Sequence, residues 1–202
     1  HYLGKYVDLL FVPIFLICFH DAKTRERAIL LFCAAGVAAV IVSYLASMGL
    51  LTDAPLLPRS AENPYAFKAS ITHSLIVGFC AYLFLLLARQ ERNSQRRIGY
   101  VVLSLLAAHN VVFMNWGRTG YLVLAVLLVY FFIVTLGRRG LALGAIAAVM
   151  ISIAAYSTST AFHTRIDAAA AEFHAWNPGE PATTSIGQRL EFYATTVEIV
   201  RK

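Results

Sequence analysis

The chain has 202 residues, of which 59% are hydrophobic and only 14% charged, with a net charge of +6 and a mean hydropathy of +0.67. A soluble domain is nearer half apolar and a quarter charged, so this composition excludes an ordinary soluble domain; the excess falls in long apolar runs, as in a membrane protein. The positive balance is then a topology signal before it is a nucleic-acid footprint, and no nucleic-acid partner is expected.

In chain order, apolar runs at about 6–20, 28–50, 70–88, 98–116, 120–136 and 140–156 predict about six transmembrane helices, because ~20 helical residues cross a ~30 Å hydrocarbon core. The first, fifth and sixth runs are short and are expected to extend at their ends. The connections alternate in charge. Lys23, Arg25 and Arg27 follow the first run; Arg89, Arg92, Arg96 and Arg97 follow the third; Arg138 and Arg139 follow the fifth. With six crossings, these nine of the 17 basic residues share one side, which the positive-inside rule makes cytoplasmic. Connections 51–69 and 157–202 then face the periplasm. Gly36 among Ala34, Ala35, Ala38 and Ala39, and the pair Gly140 and Gly144, are small-residue patterns that let helix backbones approach closely. Cys18, Cys33 and Cys80 lie in apolar runs without ligand spacing and read as buried packing residues.

The fold class is thus all-α: a polytopic integral membrane helix bundle over 1–156, then a helical periplasmic segment over 157–202. In that segment Phe162, Ile166 and Phe173 share a helical face, and 177–181 (Asn-Pro-Gly-Glu-Pro) breaks the pattern. Ser185 as N-cap with Gln188 at N3 reads as a capping box. Leu190, Tyr193, Val197 and Val200 continue a helix from about residue 186, with Arg189 in its first turn. The chain starts at His1 and stops at Lys202 inside a helical pattern, and is expected to be a piece of a longer protein.

The chemistry concentrates on the outer side. Asn115-Trp116-Gly117-Arg118-Thr119-Gly120-Tyr121 separates two apolar runs and pins Arg118 at the membrane surface. There an arginine either snorkels in a tight turn or contacts an anion, whose oxygens its planar fork binds two at a time. Gly117 and Gly120 would let backbone approach a ligand. Arg189 is the second candidate, since a helix N-terminus already favours an anion; Arg165 follows the same logic with less context. His73, His109, Asn110 and Lys68 sit in or near the outer ends of spans. Polar groups at that depth either line a cavity or make interhelical hydrogen bonds. His163 and Asp167 have ligand-like spacing, but His174 is two further turns away, so no metal site is expected.

Arg118-Thr-Gly-Tyr121 between two spans, and Ser185-Ile-Gly-Gln-Arg189-Leu-Glu-Phe-Tyr193 two crossings later, resemble the O-antigen ligase family, within the group that includes O-antigen polymerases and O-oligosaccharyltransferases. The likeness covers about 28–202. It implies a metal-independent, cofactor-free glycosyltransferase of the bacterial inner membrane with its active site facing the periplasm. The implied donor is an undecaprenyl-diphosphate-linked glycan and the implied acceptor, for a ligase, lipid A–core. Arg118 and Arg189 would bind the diphosphate. The family also has a functional histidine after the second arginine, whereas this chain has none after His174. Among readings of another class, a lipid or solute transporter would use intramembrane groups such as His109 and Asn110.

Overall fold

The computed structural model describes residues 11–51, 64–66, 69–177 and 183–201. Its elements are α1 (Phe11–Cys18), α2 (Ala22–Ser47), α3 (Ser70–Gln90), α4 (Ser94–His109), a π turn (Asn110–Met114), α5 (Arg118–Leu136), α6 (Arg138–Thr158), α7 (Thr160–His174) and α8 (Ser185–Arg201). Among the described residues, five helices are long and apolar enough to cross a membrane: α2, α3, α4 with its π turn, α5 and α6. They hold 19–26 residues each, roughly 29–39 Å at the helical rise. Of the first predicted span only α1 is described, and residues 6–10 lie outside the described residues.

Helix ends are set by caps rather than by the limits of the apolar runs. Asp21 accepts from Thr24 N–H at 2.9 Å, starting α2 six residues before its apolar run. Asn93 accepts from Gln95 N–H at 2.9 Å and starts α4 four residues before its run. Both starts draw basic residues into the first turns. Thr184, not Ser185, caps α8: its hydroxyl accepts from Gly187 N–H at 3.1 Å, so the capping residue lies one position earlier than the sequence pattern suggested.

α3 is the central helix and packs on α2, α4 and α5. At one end of the bundle Arg89 donates to Val134 O at 3.4 Å. At the other, the starts of α3 and α5 meet, where Gly117 and Gly120 lie against Ser74 with no room for a Cβ. α3 and α5 therefore run parallel, and all nine basic residues named above fall at the same end. We call the opposite end distal. Gly36 lies against Cys80 Sγ, and Gly140 against the Phe132 carbonyl, while a Cβ on Gly144 would stand 2.9 Å from Val129 Cα. The small-residue patterns are thus helix contacts. Cys33 and Cys80 are buried in packing, but Cys18 is exposed. Leu122, Val126, Ile146 and Ile153 on the outer faces of α5 and α6 are more than half exposed, as lipid-facing positions must be.

Replacing Gly140 by Val should lower stability by about 1–3 kcal/mol, because the added atoms meet backbone that cannot give way. Gly99, with nothing within 4 Å of an added Cβ, is the control. Gly99→Ala should be neutral or stabilising by up to about 1 kcal/mol. Thermal unfolding in detergent reads both.

Candidate anion-binding site at the distal end

α4 loosens into the π turn at Asn110, and residues 115–117 are irregular before α5 begins at Arg118. Irregular backbone near a membrane core needs internal partners for its polar groups. Here side chains supply them. Ser159 Oγ donates to Val112 O at 3.3 Å, Asn115 Nδ2 to Asn110 O at 3.2 Å, and the Tyr121 hydroxyl to Asn115 O at 2.5 Å.

Asn110 is the hub and is wholly buried. Its Nδ2 donates to Ser43 Oγ at 2.8 Å and to Met114 Sδ at 3.4 Å. Its Oδ1 accepts from Asn115 Nδ2 at 2.9 Å and from His73 Nε2 at 3.0 Å. Both protons and both lone pairs of the amide are used. Ser43 in turn donates to Pro64 O, which leaves its oxygen to accept and fixes the orientation of the Asn110 amide. Ala66 N–H donates to His73 Nδ1 at 3.1 Å, so His73 carries its proton on Nε2 and is a neutral imidazole engaged at both nitrogens. Asn115 is equally buried, and its Oδ1 has no hydrogen-bond partner among the described residues. A buried amide oxygen of this kind takes a donor from water or a neighbouring group.

Beside this network lies a clasp of opposite charge. Arg118, first residue of α5, donates through Nη2 to Glu172 Oε1 on α7 at 2.6 Å. Glu172 Oε2 accepts from Ile186 N–H in the first turn of α8 at 3.1 Å. One carboxylate thus joins α5, α7 and α8, with Arg118 and Glu172 side chains 27% and 20% exposed. The Arg118 hydrogen bond, ahead of the Ile186 N–H and the nearby Arg165, holds the Glu172 carboxyl below its ordinary value of 4.5. Phe162 anchors α7 on α5, its ring 4.8 Å from that of Tyr121.

Next to the clasp a groove of about 580 Å³ runs between the π turn and the α6–α7 corner. Trp116 and Arg165 line it, with the guanidinium carbon 4.3 Å from the centre of the indole ring.

The predicted site residues separate into groups. Arg118 and Arg165 stand at the clasp and the groove. Arg189 is exposed on α8, three residues after Ile186; the α8 N-terminal backbone, rather than the Arg189 guanidinium, meets the carboxylate that Arg118 holds. His73 and Asn110 are bonded to each other in the buried network, away from the groove lining. His109 is exposed and its Nδ1 pairs with the Tyr44 hydroxyl at 2.8 Å. Lys68 lies outside the described residues. The glycines of the Arg118 turn lie against Ser74, where they serve the approach of α5 to α3. His163 pairs with Asp167 at 3.2 Å, both about half exposed. Glu172, Ser43 and Ser159 carry no mark of this role in the sequence, and Asn115 enters it only as the first residue of the Arg118 segment. Glu172 is visible there only as the acidic residue ending the run Ala168 to Ala171.

Comparison of the chain with protein-family models, with curated proteins and with solved structures finds no match. The functional reading therefore rests on geometry and on the motifs.

Two outcomes follow. Asn110→Leu leaves the His73 Nε2–H without its acceptor and should destabilise the fold by about 1–3 kcal/mol; a double-mutant cycle with His73 in thermal unfolding should show coupling of about 1 kcal/mol. The lowered Glu172 pKa means that the clasp stabilises fully above the ordinary carboxylate value. That stability is lost as pH falls below 4.5 and through the lowered folded-state value. Glu172→Gln should flatten this acid limb of melting temperature against pH.

Proposed function

We propose that the chain is the membrane core of a glycosyltransferase that moves a glycan from a polyprenyl-diphosphate carrier to lipid A–core, the O-antigen ligase reaction. The observation that carries this reading is the clasp. Arg118 is partly shielded, lies at the end of the bundle away from the nine basic residues, and holds an anionic oxygen pair together with the first turn of α8. By the positive-inside rule the distal end faces the periplasm. There, carrier-linked glycans would reach it within the bacterial inner membrane.

In the reaction an acceptor hydroxyl attacks the anomeric carbon while the bond from that carbon to the phosphate oxygen breaks. The electron pair leaves on the diphosphate, and the hydroxyl proton passes to a base. Charge grows on the bridging oxygen, where fixed guanidinium groups lower the barrier most. Arg118 would meet one phosphate, replacing its contact with Glu172, and Arg189 on the adjoining turn of α8 the other. A polymerase or a protein O-oligosaccharyltransferase would keep both arginines and differ in its acceptor.

In the intact protein, Arg118→Ala and Arg189→Ala should each lower glycan transfer to lipid A–core by about 100-fold at unchanged protein abundance, and Arg118→Lys should retain part of it, since an ammonium keeps charge without the fork. Normal transfer with both arginines replaced would overturn the assignment. Lipid movement measured in the same vesicles separates a transporter from a transferase.

A further inference from the structure

The groove beside the clasp has a chemistry that a phosphate site alone does not need. Trp116 remains 40% exposed with Arg165 against it, so part of the indole is open to the groove. Thr158 and Ser159 direct their hydroxyls to the carbonyls of Ala154 and Val112, which leaves Thr160, Thr164 and Arg165 as polar groups along the lining. The volume of about 580 Å³ falls in the range of small-molecule pockets.

We propose that this groove is a carbohydrate subsite, taking the sugar ring bonded directly to the diphosphate, with Trp116 as stacking platform and Arg165 as hydrogen-bonding fork. The assignment rests on the diphosphate reading of Arg118. A pyranose has a C–H face that packs on an aromatic ring and a rim of hydroxyls that need donors and acceptors. An indole beside a guanidinium and threonine hydroxyls answers both. A lipid tail would not call for the polar groups, and a bare phosphate would not call for the indole. Position agrees: Trp116 precedes Arg118 by two residues, and the first sugar is joined to the phosphate through a single oxygen. Arg165 lines the groove and also acts electrostatically on Glu172, the carboxylate of the clasp. In the free protein it rests on the indole and shields that face from water; a bound sugar would take its place or share the ring with it.

Trp116 and Trp176 are the two tryptophans of this chain, so in the intact protein Trp176→Phe, with any tryptophan outside this chain replaced likewise, makes Trp116 the sole indole reporter. The probes are undecaprenyl diphosphate and the same carrier bearing one N-acetylglucosamine, added to the intact protein in lipid nanodiscs. Affinity is measured separately with radiolabelled carrier. The sugar-bearing carrier should change Trp116 emission and bind about tenfold more tightly than the bare one. The bare carrier should bind without changing emission. Trp116→Ala should abolish the tenfold advantage and leave bare-carrier binding intact; Trp116→Phe should keep most of it, and Arg165→Lys part. Equal emission changes with both carriers, or equal loss of both affinities in Trp116→Ala and Trp116→Phe, would overturn the sugar subsite while the diphosphate reading stood. Binding of neither carrier would overturn both.

Discussion

The distal end is organised by one constraint: a membrane-spanning helix that stops being α-helical near the hydrocarbon core must have its released backbone groups satisfied within the protein. α4 does this at Asn110. Three carbonyls around the break, those of Asn110, Val112 and Asn115, each receive a side-chain donor. The donors come from three places: the irregular segment itself, α5, and the α6–α7 corner. The same break therefore decides where α5 starts and where α7 is pinned. Asn110 adds the link to α2 and α3 through Ser43 and His73. A buried amide with all four hydrogen-bonding positions filled admits one arrangement of its neighbours, because any displacement leaves a polar atom unpaired in a poorly solvated place. π turns of this sort are frequent at functional sites, and here the turn sets the geometry of the segment that carries Trp116 and Arg118.

The clasp uses that rigid base differently. Arg118 follows directly on the irregular segment, and Gly117 and Gly120 seat the first turn of α5 against Ser74. The guanidinium is thus presented from a fixed helix start. Its partner Glu172 lies on α7, which is joined to the bundle through Phe162 and Ser159, and the carboxylate also holds the start of α8. A carboxylate that is ionised at neutral pH is displaced by competition with another anion rather than by protonation. A diphosphate, with more charge and more acceptor oxygens, is the stronger competitor for a guanidinium fork. Displacement would also free the first turn of α8 and so move Arg189 relative to Arg118.

Five of the six expected spans were legible because hydropathy over ~20 residues is a strong signal, and the basic connections between them gather at one end of the bundle. The ends were not, since Asp21 and Asn93 extend helices through charged residues that a hydropathy reading counts as loop. Arg118 stood out because a charge between two apolar runs is costly unless it is placed. Glu172 did not, because its meaning comes from a contact across 54 positions of chain. His73 and Asn110 were visible as polar residues at depth, but hydrogen bonding to each other and lining a cavity leave the same trace in a sequence. Only the donor and acceptor pattern around the Asn110 amide separates the two. The glycines near Arg118 show the same degeneracy: a glycine marks a close approach without saying whether the approaching group is a ligand or, as here, Ser74.

The two arrangements at the distal end divide labour in a way that follows from burial. The Asn110 network is wholly buried and its histidine is neutral and doubly engaged, so it suits a fixed scaffold and gives His73 no free nitrogen with which to take a proton. The clasp and the groove are partly exposed and charged, so their contacts cost less to exchange. Exchangeable contacts held on a rigid frame are what the proposed transfer site would need: an anion and a sugar would have to enter and leave while the distance between their subsites stayed the same. The two-residue spacing of Trp116 and Arg118 would hold that distance in covalent structure.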